Sequence, residues 1–401
     1  MSALLIRFIM LFDKSPRDLD LFIAPYSPAK SKFPALGAAK KIRLVCHGFQ
    51  KKKAQVVFFN TANNLEGTAY FQQESFFPDG VLGVNLIPNI KPRTLGRFFS
   101  IVIAPFMGLF LGAVVKPRSL WVYNLGAGEL LMGYFAGLGA RSKVLEVEDL
   151  PFSRKRGFGE IKPFLDQSVS WFLQDSYHTY FLVSHQVRRL LGLSSKRQFV
   201  VPGIISEIKI RRLHLENEPL KVGYFGGFEP EKGCNLLVEL LKNRNRNWSY
   251  TVCGGGTHEA ELATSLQLDL GDELFVNQSD EAMDLLQAHC KLLLNPHRPL
   301  REMGFGVFPF KVAEYMNSDS TIITTDLGIP FKDLYDLGLL VAEWRAEDFH
   351  FKINQAFTQP EWIDEDVLRR RGEVLRGLVN DEIVASAVGE SVSNWDSFKI
   401  I

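Results

Sequence analysis

Residues 221–237 read KVGYFGGFEPEKGCNLL: a strand-like apolar run, a glycine pair, and then Lys232 and Gly233 where an apolar helical stretch opens. Glycine lets a backbone approach a ligand closely, and the first turn of a helix offers unpaired N–H groups to an anion. The same order recurs twice downstream. VCGGGTHE at 252–259 follows a strand and opens a helix, and NPHRPLREMGFGVFPFKVAE at 295–314 ends with Lys311 and Glu314 three residues apart on one helical face. Each glycine cluster alone is weak, because glycine turns occur in every α/β fold. None is a G-x-x-x-x-G-K-[ST] loop or a full G-x-G-x-x-G fingerprint. The order and setting of all three together are the specific signal.

Outward from these loops, strands and helices alternate along the chain. LDLFIAP, AQVVFFNT, SLWVYN, KVLEVED, HTYFLVS and QFVVPG read as buried strands in the first half, and KVGYFGG, WSYTVCGG, ELFVNQ, CKLLLNP, STIITTD and GLLVAE in the second. Such alternation predicts α/β architecture with two Rossmann-like, doubly wound domains facing across a cleft, and ligands at the carboxyl ends of the strands. Polar and charged residues between Pro202 and Leu220 separate the two sets. The expected domains are therefore 1–204 and 205–385, with a tail at 386–401 that could return to the first domain as a helix.

The 401 residues are 46% apolar and 23% charged, which suits a soluble globular chain of more than one domain and excludes a disordered one. Cys46, Cys234, Cys253 and Cys290 form no CxxC pair or metal-ligand spacing, so a reducing cytoplasm is expected. The opening MSALLIRFIMLF carries Arg7 and runs into Asp13 and Lys14 without a small-residue cleavage site, which argues against a signal peptide.

The net charge of +1 conceals an asymmetry. Residues 1–204 hold 26 of the 46 Lys and Arg but 13 of the 45 Asp and Glu, an excess of thirteen positive charges; the remainder carries an excess of twelve negative. A basic half predicts an anionic partner, although single clusters such as Lys51–Lys53 or Arg154–Arg156 read as solvated surface. Nucleic acid is not expected: no recognition motif is present, and the aromatics lie in apolar runs rather than among the basic residues. Residues 98–115, FFSIVIAPFMGLFLGAVV, carry no charge and are flanked by Arg93, Arg97, Lys116 and Arg118. That length nearly crosses a bilayer, but Pro105 interrupts it and a strand follows at once, so a buried or membrane-touching crossover helix is expected rather than a span.

YFGGFEPEKGCNLL, VCGGG and GVFPFKVAEYM followed by IITTDLGIP resemble the donor domain of GT-B glycosyltransferases, nearest to the retaining enzymes of glycosyltransferase family 4. The resemblance covers residues 221 to about 345. It is looser in the first half, where LWVYN, KVLEVEDLP, YFLVSHQVRRLL and FVVPG are similar to the acceptor domain's strands. It implies a nucleotide sugar bound against the second domain and an acceptor against the first.

Residue by residue, the family's lysine of the KG turn falls on Lys232, which would neutralise the leaving diphosphate, whereas its arginine partner falls on Gly227. The second of two family glutamates falls on Glu314, which would hold ribose hydroxyls; the first falls on Gly306. Asp319 and Thr321 stand where the family has a glycine and a proline. The implied donor set is Gly226, Gly227, Lys232, Gly254, Gly255, His297, Arg298, Gly306, Phe308, Lys311 and Glu314, with Lys232 and Glu314 catalytic. Arg298 and Arg301 could stand in for the missing arginine, and Glu302 for the missing glutamate. Glu148 falls on a family histidine and, with Asp149 and Asn124, makes the implied acceptor set. His47, His185 and His297 read as polar surface or loop residues rather than catalysts, and of these only His297 lies in a donor loop.

The resemblance further implies retention and neither metal nor other cofactor beyond the donor. The expected activity is transfer of a hexose from a UDP- or GDP-sugar to a lipid-linked or growing cell-envelope saccharide. The expected location is cytoplasmic, peripheral on the inner face of the membrane and docked on anionic lipid. The competing expectation, given Gly227, Gly306 and Asp319, is a non-catalytic GT-B-like protein that binds a membrane or a partner.

Overall fold

The computed structural model describes residues 19–26, 36–62, 81–85, 93–148, 150, 161–183, 185–193, 197–201, 203–209, 220–243, 247–267, 271–299, 310–327, 335–359 and 363–387. The chain divides into two compact units. The first is built on residues up to Ser206 and a return segment that begins at Leu378; the second is Glu207–Gly377.

The first unit is a seven-stranded sheet of β1 (Leu19–Ala24), β2 (Gln55–Asn60), β3 (Val81–Asn85), β4 (Ser119–Tyr123), β5 (Ser142–Val147), β6 (Thr179–Leu182) and β7 (Arg197–Val200). Their order is β3-β2-β1-β4-β5-β6-β7, and every pair is parallel. All residues of β1 and β4 are buried, as a sheet covered by helices on both faces requires. A row of rings ties the sheet together: Phe58 lies 5.3 Å from Phe22, Phe22 5.9 Å from Trp121, and Trp121 is stacked 5.2 Å from Phe181.

The helix Arg93–Val115 carries the chain from β3 to β4. Its inward stripe is Ala104, Gly108, Leu111 and Val115, spaced to one helical face. A Cβ at Gly108 would run into the Met132 carbonyl, so the small residues let this helix press on the helix Ala127–Ala136. Phe98, Phe99, Val102, Phe106 and Leu109 remain exposed, and Phe98–Val115 is long and apolar enough to cross a membrane. Pro105 does not interrupt the helix as expected. It lies inside it, at the expense of the one bond its missing N–H would have made.

The second unit holds β8 (Lys221–Gly227), β9 (Ser249–Gly255), β10 (Glu273–Val276), β11 (Leu292–Asn295), β12 (Thr321–Thr324) and β13 (Leu339–Val341), in the parallel order β10-β9-β8-β11-β12-β13. Both sheets therefore reverse direction of winding once, between β1 and β4 and between β8 and β11. Such a reversal opens a crevice at the carboxyl ends of the two strands. At the far side Arg371 is fully buried and donates to four backbone carbonyls, Leu337 (2.7 Å), Ser318 (2.7 Å), Ser320 (2.9 Å) and Gly338 (3.2 Å). Burial lowers its pKa to about 9 despite the nearby Asp319.

All twelve expected strands form, and among the described residues β3 is a thirteenth. Residues 378–385, assigned from sequence to the second domain, group instead with the first. Ile205 bridges to Val379, the Asn380 side chain donates to the Leu44 carbonyl (3.0 Å), and the helix Asn380–Ala387 packs on the helix Leu36–Lys51. Gly48 makes that packing close, since a Cβ there would strike the Asn380 carbonyl. The tail at 388–401 lies outside the described residues.

Candidate functional site

In the second unit the loops after β8 and β9 touch backbone to backbone. Phe228 N–H donates to the Gly255 carbonyl (2.9 Å), and a Cβ at Gly254 would fall on the Gly226 carbonyl. Tyr224 Oη donates to the Gly227 carbonyl (2.6 Å) and fixes the turn. Pro230–Lys232 then form one 3-10 turn, and Gly233, at φ 82, starts the helix Cys234–Lys242. Gly233 also packs on the loop after β11, because a Cβ there would overlap the Pro296 carbonyl. That carbonyl accepts from Trp344 Nε1 (3.1 Å).

Next to Pro296, His297 is not the surface residue expected from sequence but is buried, because its Nδ1 lies 2.9 Å from the Arg298 carbonyl and its own carbonyl accepts from Thr325 Oγ1 (2.6 Å). Burial first, and then the charge of Lys232, push its pKa down to about 4, so the ring is neutral. Arg298 holds its guanidinium over the Trp344 ring, 5.7 Å from the centroid. The helix Phe310–Met316 is pinned to β8 by Tyr315, whose Oη accepts from Phe225 N–H (2.9 Å) and donates to the Phe225 carbonyl (3.2 Å). Beside it, Lys311 and Glu314 form an ion pair at 2.7 Å. The Glu314 side chain is only 9% exposed, so this is not an ordinary surface pair.

Gly226, Gly227, Lys232, Gly254, Gly255 and His297 are thus gathered at the carboxyl ends of β8, β9 and β11, with Lys311 and Glu314 on a helix anchored to β8. Gly306, Phe308, Arg301, Glu302 and Asp149 lie outside the described residues. Among the described residues no group of three or more His, Cys, Asp or Glu is placed to hold a metal ion.

In the first unit Asn124 follows β4 in the left-handed region, at φ 67, with its N–H on the Glu146 carbonyl (2.6 Å). Glu148 follows β5, but it is not a free acid: Lys41 Nζ lies 2.6 Å from its Oε1, and Tyr123 Oη donates to its Oε2. The same Lys41 Nζ lies 2.6 Å from Glu146 Oε1, while Trp121 Nε1 donates to Glu146 Oε2 (3.0 Å). Lys41 and Glu146 are both buried. Burial alone would lower the Lys41 pKa, but the two carboxylates more than reverse this and raise it. Burial raises the pKa of Glu146, against the pull of Lys41. Lys41, Tyr123 and Glu146 were not anticipated from sequence. The available signal was the spacing of Lys41 with Val45 and Gly48 on the buried stripe of its helix.

Two parallel sheets, each reversing once, with glycine loops crowding a lysine at the carboxyl ends of the second, define a protein of GT-B fold. Solved structures share it. Sucrose-phosphate synthase (tll1590) from Thermosynechococcus elongatus matches with a TM-score of 0.70 at 15% identity, over 93% of this chain and 98% of that one. WaaG, a glycosyltransferase involved in lipopolysaccharide biosynthesis, matches with 0.64 at 14% identity, over 92% and 100%. Anabaena HepE in complex with UDP-glucose matches with 0.61 at 14% identity, over 93% and 100%. No curated protein matches the sequence. The chain thus has the GT-B fold, and most of its second unit, residues 206–372, matches the family model described as glycosyl transferases group 1.

Proposed function

We propose that this protein is a glycosyltransferase that moves a hexose from a UDP- or GDP-sugar to a lipid-linked or growing cell-envelope saccharide, with retention, at the cytoplasmic face of a membrane. The observation that carries the donor half is the position of Lys232, at the opening of the helix after β8 and beside the reversal between β8 and β11. Cleaving a glycosyl phosphate leaves negative charge on the diphosphate, and a lysine with a helix N-terminus answers that charge without a metal. UDP and UDP-glucose in the Anabaena neighbour, and lipopolysaccharide biosynthesis for WaaG, support this donor and acceptor class. Glu314 takes the ribose hydroxyls. Lys232→Ala and Glu314→Ala should each weaken UDP or GDP binding by ~1 to 3 kcal/mol in calorimetry, with or without EDTA, while the melting transition stays in place. Unchanged affinity in both variants removes the assignment, and a strict metal requirement removes the metal-free mechanism.

The membrane half of the proposal is supported by a second helix. Phe164, Trp171 and Phe172 on the helix Ile161–Leu173 are 60%, 71% and 73% exposed, and Phe106 on Arg93–Val115 is 71% exposed. The helix Ala127–Ala136 packs against both, so these rings belong to one helical layer of the basic unit. Each basic residue near an anionic surface adds about 1 kcal/mol, decaying over roughly 8 Å. The full-length protein should float with vesicles containing anionic lipid at low salt and be largely released at high salt. Resistance to high salt and carbonate means a span, and no flotation means a soluble acceptor.

A further inference from the structure

We propose that Nε2 of His297 accepts a hydrogen bond from a hydroxyl of the donor's sugar ring, an inference that rests on the donor site proposed above. His297 is 3% exposed, and among the described residues its Nε2 has no hydrogen-bond partner. The partner of its other nitrogen fixes what Nε2 can do. Nδ1 faces the Arg298 carbonyl at 2.9 Å, and a carbonyl only accepts, so Nδ1 carries the proton. With the ring held neutral by burial and by the neighbouring Lys232, Nε2 is a lone pair.

A buried acceptor without a partner is uncommon and costly, and it points to a group that arrives with the ligand. That group must bring a hydrogen. Diphosphate oxygens bring none, so His297 is set against the phosphate that Lys232 would hold rather than for it. Two hydroxyl-bearing pieces flank a nucleotide sugar's diphosphate, the ribose and the transferred sugar. Glu314, itself an acceptor, is assigned to the ribose, which leaves the sugar for His297. A buried lone pair also discriminates strongly against a sugar lacking the matching hydroxyl, because it then stays unpaired.

The test titrates the full-length protein with UDP, GDP, UDP-glucose and GDP-mannose by calorimetry, for the wild type, His297→Asn and His297→Phe. Asparagine keeps an N–H for the Arg298 carbonyl and removes the Nε2 acceptor. Both variants should bind the accepted nucleotide sugar about tenfold more weakly and the bare nucleotide within about twofold of wild type, the scale of one hydrogen bond. In the wild type, the Nε2 nitrogen-15 resonance should report an unprotonated nitrogen that shifts with the nucleotide sugar but not with the nucleotide alone. Equal losses for nucleotide and nucleotide sugar, no loss for either, or a proton found on Nε2 overturns the proposal. If the wild type binds none of the four, the donor reading itself fails and the His297 assignment falls with it.

Discussion

Gly233→Ala should destabilise the second unit by about 4 kcal/mol or more in urea denaturation and abolish nucleotide binding with it. Two costs add at this position. A left-handed backbone costs an L-residue about 1 to 2 kcal/mol, and the new methyl meets the Pro296 carbonyl, a backbone atom already held by Trp344. Gly192 is the control, since it has a similar φ of 63 but open space around a built Cβ. Gly192→Ala should cost only the backbone share, about 1 kcal/mol. Equal effects at the two sites would mean that the loop after β11 yields, and that the turn after β8 is not clamped.

The second large effect is expected at Lys41. Lys41→Met leaves Glu146 and Glu148 without their cation, and stripping one partner from a buried ion pair costs about 3 to 5 kcal/mol. Adding Glu146→Gln should recover at least half of that, because the charge left unpaired becomes a neutral amide that still accepts from Trp121. The pH dependence has a definite sign. Glu146 holds its proton more tightly folded than unfolded, so the folded state gains stability as pH falls through its raised value toward the unfolded one of about 4.3. Removing Lys41 also removes the charge that pulls the Glu146 pKa down, so the variant gains more than the wild type on acidification and its deficit at pH 7 should shrink. A deficit below about 1 kcal/mol at pH 7 would show that the cluster is solvated.

These two sites differ in how they are written in the sequence. The glycine clamp is legible because close backbone contact permits so few residues: Gly233 and Gly254 each stand where a side chain would collide with a neighbouring carbonyl. The parallel strands are legible because burial on both faces turns each into an apolar run. β3 escapes this rule, since Gly83 breaks the run in VLGVN and weakens its strand character. A buried charge, by contrast, is spelled like an exposed one. Lys41 counts toward the basic excess of the first half until its helix places it against Glu146, a residue 105 positions away in the chain. Arg371 is the last of three consecutive arginines, of which Arg369 and Arg370 bind surface acids and it alone turns inward. The proton on His297 is set by the Arg298 carbonyl, a backbone atom whose direction no residue name encodes.

The bridge between Ile205 and Val379 also has a consequence during synthesis. The first unit is interrupted in sequence, and its last helix, Asn380–Ala387, leaves the ribosome only after the whole of the second unit. Among the described residues the second unit is one uninterrupted stretch, Glu207–Gly377, and can fold as soon as it has emerged. The helix Leu36–Lys51 meanwhile keeps its Gly48 groove open, and the Leu44 carbonyl waits for a side chain made 336 residues later. The unit begun before the second is thus completed after it, and nascent chains that stop near Gly377 should carry a finished second unit and an unsealed first unit.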